Sequence, residues 1–212
     1  GIGNFGNITY NIGFLESENG TIYGARKKSK DLLIDEYDFY CEDSKLYIKC
    51  NQNPTDKLGQ IKLASRIDLV RLSSNTLIEN IDVQCTGAHG IVKKNSEVIS
   101  NVIVRNCVIQ NIGGSVQIAS SFTRYGNGLE FWDNAENTLV EKCIFKNTYD
   151  AGYTMQGNGN NSGFENNVCR DNIFINCTYT YETFCRDQQY TYKGIFLRSQ
   201  KFLNKPRKRL GI

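Results

Sequence analysis

The chain has 212 residues, of which 40% are hydrophobic and 11% aromatic, and its net charge is +3. That length suits one ordinary domain with a substantial core, and the many aromatic residues argue against a disordered protein. No apolar run approaches the length of a membrane-spanning helix, so a membrane span is excluded. Five basic residues fall within the last twelve, which indicates a solvated tail, and no nucleic-acid partner is expected.

Two further features of the composition are unusual. The chain starts at Gly1 and its single methionine is Met155, which predicts a processed chain or a fragment of a longer protein. The sequence also contains 24 asparagines, an abundance that most globular folds do not use.

Four eight-residue segments align without gaps and reveal an internal repeat. They are residues 76–83, 102–109, 138–145 and 167–174. Each is rich in β-branched residues, lacks the 3.6-residue periodicity of a helix and is followed by turn-forming residues. The irregular spacing between the copies suits strands that are separated by loops of different lengths. The four segments are therefore predicted to be stacked strands.

The aligned positions predict where each side chain points. Two apolar columns should face the core, namely Ile78, Val104, Val140 and Cys169, and Val83, Ile109, Phe145 and Phe174. A column of alternating charge should face outward, namely Glu79, Arg105, Glu141 and Arg170. A corner column consists of Cys85, Asn111, Asn147 and Asn176. Stacked Asn side chains bond to one another and tolerate the left-handed backbone of a sharp corner, which explains part of the Asn content.

Parallel stacking, Asn corners and few prolines predict an all-β fold, a parallel β-helix of about five rungs. Hairpin signals between the repeats are scarce, but one hairpin stands out at residues 38–49. Residues 60–64 and 67–72 are predicted to be strands of the first rung. The predicted organisation is a lead-in or capping segment at 1–36, the β-helix at 37–190 and a basic tail at 191–212.

The eight cysteines are predicted to be reduced and buried, since the repeat alignment places Cys169 in an apolar column and Cys107 and Cys143 beside the apolar positions. No C-x-x-C pair is present, so the usual spacing of a zinc site is missing. Cys107 and Cys143 share a column in adjacent repeats and are the pair that stacking would bring together.

Several short sequence segments resemble those of the right-handed parallel β-helix repeat proteins, the pectate lyase-like superfamily. They are NTLIENID at 75–82, GAHGI at 87–91, RYGNGLEFW at 124–132, YDAG at 149–152 and NIFIN at 172–176. The resemblance covers roughly residues 35–185 and extends to the hairpin. It implies a lyase or glycoside hydrolase that acts on an acidic polysaccharide, in an extracellular or cell-surface location. The alternative that it implies is a non-catalytic glycan-binding or tailspike-like β-helix.

The motifs of individual subfamilies are absent from the sequence. Polygalacturonases carry Gly-His-Gly and paired aspartates, whereas this chain has Gly-Ala-His-Gly at 87–90 and no Asp-Asp pair. The Asp-His pair of the best-known pectate lyases is missing as well. The resemblance therefore implies a fold and a substrate class but no particular reaction.

Candidate catalytic residues come from aligning Gly90-Ile91, Gly128-Leu129 and Gly152-Tyr153, with Tyr181 on the last rung. They are Glu130, Glu182, His89 and Asp150. Glu130 and Glu182 should lie two rungs apart, with backbones about 9.6 Å apart, which suits an inverting glycosidase. The alternatives are exposed glutamates on a solvated face and a structural histidine bonded to the neighbouring rung.

Candidate substrate-binding residues cluster after a ten-residue insertion at 113–122 and on the later rungs. They are Arg124, Tyr125, Asn127, Trp132, Asp133, Gln156 and Arg186. Tyr125 and Trp132 can stack on sugar rings, and Arg124 can bind a uronate carboxylate or form a plain ion pair with Asp133 or Glu130. No cofactor is expected, except for a calcium ion on Glu130, Asp150 and Glu182 in the case of a lyase.

Overall fold

The computed structural model describes residues 12–42, 45–158, 163–185, 191–194 and 196–202, and the regular secondary structure of these residues is nearly all β-strand. The first twelve strands are β1 (Ile12–Glu16), β2 (Ile22–Tyr23), β3 (Phe39–Glu42), β4 (Lys45–Ile48), β5 (Lys62–Ser65), β6 (Val70–Arg71), β7 (Leu77–Glu79), β8 (Asp82–Thr86), β9 (Ile91–Lys93), β10 (Ile99–Ser100), β11 (Ile103–Arg105) and β12 (Val108–Ile112). The next twelve are β13 (Ser115–Ile118), β14 (Thr123–Tyr125), β15 (Leu129–Trp132), β16 (Ala135–Glu136), β17 (Leu139–Glu141), β18 (Ile144–Thr148), β19 (Ala151–Gly157), β20 (Gly163–Glu165), β21 (Val168–Ile175), β22 (Tyr179–Cys185), β23 (Thr191–Lys193) and β24 (Phe196–Phe202).

The helical content of the described residues is small. Helix α1 (Pro54–Leu58) is a short turn capped by Asn53, whose side chain accepts a bond from the Thr55 N–H. Two 3-10 turns lie at Lys30–Leu32 and Ala119–Ser121. No helix in this part of the chain is both long enough and apolar enough to cross a membrane.

The strands of the N-terminal region pair antiparallel. The predicted hairpin is confirmed, because β3 pairs with β4 and Phe39 lies opposite Ile48. The prediction that residues 60–64 form a first-rung strand is wrong, since β5 pairs antiparallel with β1. Every residue of β1 is buried, so this strand offers β5 a pairing partner. The alternation of side chains along β5 fits antiparallel pairing with β1 as well as it fits a place in the parallel sheets. In contrast, β6 runs parallel to β9, as predicted for residues 67–72.

From β6 onward most strands form parallel sheets. The ladder sheet contains β7, β11, β17 and residues 168–170 of β21, and the aromatic sheet contains β8, β12, β18 and residues 173–175 of β21. The cleft sheet has the order β22-β19-β15-β9-β6, and the short sheet has the order β10-β16-β20-β23. Each circuit of the chain passes through the aromatic, cleft, short and ladder sheets in that order.

The predicted apolar columns are confirmed by the strand register. Val104 pairs with both Ile78 and Val140, and Val140 pairs in turn with Cys169. The second column runs through β8, β12, β18 and β21 and ends in Phe145 and Phe174, whose rings stack with centroids 4.8 Å apart. All eight side chains belong to one buried core cluster. The parallel register thus places every copy of the repeat around a common core.

The column of alternating charge also forms on the ladder sheet. Arg105 bonds to Glu79 at 2.7 Å, and Arg170 bonds to Glu141 at 2.9 Å. These pairs join neighbouring strands at the solvent side of the sheet, where each contributes modestly to stability.

Asparagine occupies the corners between the sheets. Asn111, Asn147 and Asn176 have φ angles of 54°, 54° and 53°, and Cys85 shares this left-handed conformation. The Asn176 amide donates to Asn147, and the Asn147 amide donates to Asn111 at 2.8 Å. A second Asn column, which the alignment did not identify, consists of Asn75, Asn101, Asn137 and Asn166.

Seven cysteines are free thiols, and five of the seven are buried; the seven are Cys41, Cys50, Cys85, Cys107, Cys143, Cys169 and Cys177. Cys143 and Cys169 lie in the core, where burial raises the pKa of each thiol. Beyond residue 190, β23 and β24 extend the short and ladder sheets, so the segment predicted as a tail contributes strands within its described part.

Candidate functional site

A cleft of about 450 Å³ lies on the outward face of the cleft sheet. Its floor comes from β15, β19 and β22, and one wall comes from β13 and β14, which pair as an antiparallel hairpin within and beyond the predicted insertion. Eight of the eleven predicted site residues line it. They are His89, Arg124, Tyr125, Glu130, Trp132, Asp150, Gln156 and Glu182.

The register of the floor is the predicted one. Glu130 pairs with Thr154 on the next strand, and Thr154 pairs with Glu182 on the strand after that. Val92 precedes Glu130 in the same column. Glu130 and Glu182 therefore point to the same side of the sheet, separated by one strand.

Close packing at the corner before these strands requires glycine. A Cβ atom on Gly128 would lie 2.5 Å from the Gly152 carbonyl oxygen and 2.8 Å from the Phe145 ring. Neither the backbone nor the stacked ring can move away cheaply, so a larger residue here would displace the strand that carries Glu130.

His89, Asn127 and Glu130 form a buried polar cluster at the base of the cleft. His89 Nδ1 lies 3.0 Å from Glu130 Oε2, and their side chains are only 2% and 3% exposed. Asn127 Nδ2 donates to the same carboxylate oxygen at 2.7 Å, while Asn127 Oδ1 accepts from the Ala151 N–H at 2.9 Å. The asparagine thus fixes Glu130 to the adjacent strand.

The His89 side chain, like that of Asn127, accepts a hydrogen bond from a backbone N–H of the next circuit. Its Nδ1 accepts a bond from the Asn127 N–H at 3.1 Å, as the structural alternative predicted. This nitrogen has a lone pair for Asn127 or a proton for Glu130, but not both. The tautomer with a proton on Nδ1 therefore bonds to Glu130, and the tautomer with a proton on Nε2 accepts from Asn127. The second ring nitrogen, Nε2, makes no hydrogen bond to the described residues and is left for a molecule in the cleft.

The two glutamates have opposite pKa shifts. Burial alone raises the pKa of Glu130, but the charge and bond of His89 and bonds from Asn127 and Gln156 outweigh it, and the pKa is lowered. Burial raises the pKa of Glu182, the negative charge of Glu130 raises it further, and a bond from Thr154 opposes the shift only in part. At mildly acidic pH Glu130 is thus the carboxylate and Glu182 the better proton donor.

The hairpin wall is held in place by Arg124. Its Nε donates to the Gly114 carbonyl oxygen at 2.6 Å, and one Nη donates to the carbonyl oxygen of Gly13 in β1. The guanidinium lies 4.7 Å from the centre of the Tyr149 ring. Burial and the nearby charge of Arg26 lower the pKa of Arg124 to about 10. The Tyr125 ring lies 5.7 Å from the His89 ring, so the wall closes directly over the imidazole.

The remaining predicted residues lie elsewhere. Asn127 is fully buried beneath the cleft and positions Glu130. Asp133 lies at the turn after β15, where its Oδ1 accepts from the Asn158 N–H. Arg186 is outside the described residues.

Three lining residues were not predicted from the sequence: Lys94, Ile118 and Thr123. Lys94 follows β9 and pairs with Asp68 at 2.7 Å, although the two residues are far apart in the sequence. Thr123 and Ile118 belong to the hairpin, so the long insertion was itself the signal that could have identified them.

The predicted calcium ligands do not form a metal centre. Glu130, Asp150 and Glu182 line one cleft, yet the described part of the chain has no group of three or more His, Cys, Asp or Glu that could hold a metal ion. The carboxylates of Glu130 and Glu182 instead accept hydrogen bonds from Asn127 and Thr154, respectively.

Comparison with known proteins identifies no relative: no protein-family model matches the chain, and no curated protein or solved structure is similar enough to match. The functional assignment therefore depends on the site itself.

Proposed function

We propose that the chain is a right-handed parallel β-helix of the pectate lyase-like kind that binds an acidic polysaccharide in the cleft and hydrolyses it. Four sheets visited in a constant order support the fold, and connections between parallel strands of one sheet are nearly always right-handed. The observation that carries the function is the pair of facing glutamates, Glu130 and Glu182, with opposite pKa shifts. Such pairs are typical of acid–base catalysis.

In this proposal Glu182 is the general acid and Glu130 the general base. Glu182 gives its proton to the glycosidic oxygen as the bond to the anomeric carbon breaks. Glu130 takes a proton from the water whose oxygen forms the new bond to that carbon. A one-strand gap sets their backbones about 9.6 Å apart, which leaves room for the water and predicts inversion of configuration.

The cations and aromatic side chains of the cleft support an acidic glycan. Lys94 and Arg124 supply positive charge, and Trp132 and Tyr125 supply faces on which sugar rings stack. A protonated Glu182 also removes one of the negative charges that would repel a uronate. We therefore expect binding and cleavage to be best at mildly acidic pH.

One observation favours a second candidate, a polysaccharide lyase. His89 Nε2 opens to the cleft beside Tyr125, and Arg124 lies on the same wall. In β-elimination the tautomer of His89 whose Nδ1–H bonds to Glu130 would take, through Nε2, the proton next to the uronate carboxylate, and Tyr125 would protonate the departing sugar oxygen. The product would carry a carbon–carbon double bond, which hydrolysis does not create.

The test is a panel of uronate polysaccharides (polygalacturonate, alginate and chondroitin) with neutral glycans as controls. New reducing ends without ultraviolet absorbance support hydrolysis, and new ends with the absorbance of unsaturated sugars support the lyase. Binding without any product from the wild-type protein would show a non-catalytic glycan-binding β-helix and overturn the enzymatic proposal.

A further inference from the structure

Two basic side chains with permanent positive charge line the cleft, and the protein holds them differently. Arg124 donates to the carbonyl oxygens of Gly114 and Gly13, so it fastens the hairpin wall to the rest of the molecule. Lys94 is 44% exposed, and its Nζ bonds to Asp68 Oδ2 at 2.7 Å. An ammonium has three N–H donors, so those of Lys94 that do not serve Asp68 can serve a molecule in the cleft.

The strand register sets the position of Lys94 in the cleft. The preceding residue, Lys93, is 1% exposed and belongs to the inward column of Phe131. Because successive side chains of a strand point to opposite faces, Lys94 points outward. Since Lys93 pairs with Phe131, Lys94 comes beside Trp132, which pairs in turn with Gln156. Lys94, Trp132 and Gln156 all line the cleft, so they form a second row beside the row of the two glutamates.

Asp68 anchors Lys94 from a buried position. The Asp68 side chain is only 4% exposed, and its Oδ2 also lies 3.5 Å from Nη2 of Arg71. Arg71 is 76% exposed and continues the outward column of Val92 on β6. Asp68 Oδ1 is buried and makes no hydrogen bond to the described residues, so this carboxylate depends on the two cations. Two positive charges thus surround one negative charge, which leaves one positive charge in excess.

The excess charge lies next to the side chain on which a sugar ring can stack. A ring on the face of Trp132 brings the substituents of that sugar or of its neighbour toward Lys94, one strand spacing of about 4.8 Å away. A uronate has a carboxylate there, which bonds to an ammonium through a charge-assisted hydrogen bond. A neutral sugar or a uronate methyl ester has no charge to offer at this position.

We infer that Lys94 is the residue that distinguishes acidic sugars from neutral ones, and that Asp68 is a positioning residue that holds the Lys94 ammonium beside Trp132. This inference rests on the proposed function, because it assigns the selection for an acidic substrate to one side chain of that cleft. Arg124 then supports the wall and contributes less to the selection.

The test compares galacturonate, alginate and chondroitin oligosaccharides with their methyl esters, in the wild-type protein and in Lys94→Ala. We expect the ratio of kcat/KM on the acid to kcat/KM on the ester to fall about 10-fold, through KM rather than kcat, since a charged hydrogen bond to the substrate is lost. Lys94→Gln is the second variant if Lys94→Ala does not fold. An unchanged ratio would overturn the role of Lys94 while leaving the proposed function intact.

Asp68→Asn separates position from charge. This change removes a negative charge, so a purely electrostatic role of the cluster predicts tighter binding of the acid and a lower KM. A positioning role predicts the opposite, a higher KM, with no further rise when Lys94→Ala is added. A KM that falls or stays unchanged in Asp68→Asn would overturn the positioning role.

Lys62→Ala is the matched control. Lys62 is 49% exposed and pairs with the 1% exposed Glu16 at 3.3 Å, and neither residue lines the cleft. We expect its acid-to-ester ratio to equal that of the wild-type protein, and a fall as large as in Lys94→Ala would overturn the inference. If the wild-type protein cleaves no glycan, the proposed function is wrong. Retardation of wild type and Lys94→Ala in affinity gels of polygalacturonate and its methyl ester then decides the role of Lys94 alone.

Discussion

The ladder sheet and the cleft sheet have the same parallel pairing but differ in what their outward columns contain. On the ladder sheet, Glu and Arg alternate from strand to strand and each pair is partly exposed. On the cleft sheet, charge does not alternate from strand to strand, since the corresponding column reads Arg71, Val92, Glu130, Thr154 and Glu182. Equal strand spacing thus gives a stabilising ladder where neighbours complement each other, and a candidate catalytic pair where two acidic side chains lie on the same face, separated by one strand.

The ladder sheet and the cleft sheet also differ in how deeply their charged side chains are buried. The charges of the Arg105–Glu79 pair on the ladder sheet remain in contact with water, which screens them. Glu130 and His89 are almost fully buried, so each depends on its protein partners for hydrogen bonds. Loss of one partner should therefore have a large effect at the cleft and a small one on the ladder sheet.

The largest expected effect is on catalysis by Glu130→Gln. The amide keeps the shape of the side chain but cannot accept a proton from water, so product formation should fall by about 10²–10⁴-fold. Binding of the same polysaccharide, measured by its retardation of the protein in an affinity gel, should persist. Retention of full activity in Glu130→Gln would rule out Glu130 as the base.

The next effect concerns stability at the base of the cleft. Asn127→Ala removes the bonds to Glu130 and to the Ala151 N–H and leaves both groups buried, at about 1–3 kcal/mol each. We expect the free energy of unfolding in urea to fall accordingly. Gln110→Ala is the control, since Gln110 bonds to Asp82 at the solvent side of the aromatic sheet. Equal losses in the two variants would show that burial does not distinguish these sites.

The pH dependence of cleavage should be bell-shaped. Activity should fall as pH drops through the lowered pKa of Glu130, which then loses its charge, and as pH rises through the raised pKa of Glu182, which then loses its proton. Thr154→Val removes a hydrogen bond that opposes the raised pKa of Glu182. The basic limb of kcat/KM against pH should therefore move to higher pH in this variant, whereas a shift of the acidic limb alone would contradict the assignment of Glu182.

The smallest effect is expected on the ladder sheet. Arg105→Ala removes an ion pair with Glu79 whose two side chains are 40% and 36% exposed. Exposed pairs of this kind contribute about 0.2–1 kcal/mol, and salt weakens them. Thermal unfolding should show a small loss of stability that shrinks in high salt, with cleavage unchanged. A loss as large as that of Asn127→Ala would mean that the ladder is not a mere surface feature.

Much of the architecture could be predicted because the aligned repeats show which residues pair between neighbouring strands. Alignment of four short segments placed Ile78, Val104 and Val140 in one buried column, and the corner asparagines in another. The same logic placed Glu130 and Glu182 on one face, because residues paired in parallel strands share a side of the sheet. The second Asn column lies one residue before the aligned segments and holds Asn in all four copies, so the same alignment extended by one residue would have identified it.

Other features depended on contacts that no local pattern encodes. The pairing of β5 with β1 is antiparallel, and residues 60–64 carry no signal that separates this pairing from a place in the parallel sheets. In the sequence, nothing distinguishes Lys94 and Asp68 from ordinary surface charges, and only the fold brings them together. The direction in which the hairpin leans depends on bonds to Gly87 and Arg66, which belong to an earlier circuit.

The sequence by itself determined the all-β class, the parallel register and most of the side chains that line the cleft, because alternation along a strand and repetition between strands fix which side each residue takes. The tertiary structure decided how deeply those side chains are buried and which groups surround them. Burial and neighbours set the opposite pKa shifts of Glu130 and Glu182, and the fold brings Lys94 beside Asp68. Such properties depend on distances across the whole stack, to which residues far apart in the sequence contribute.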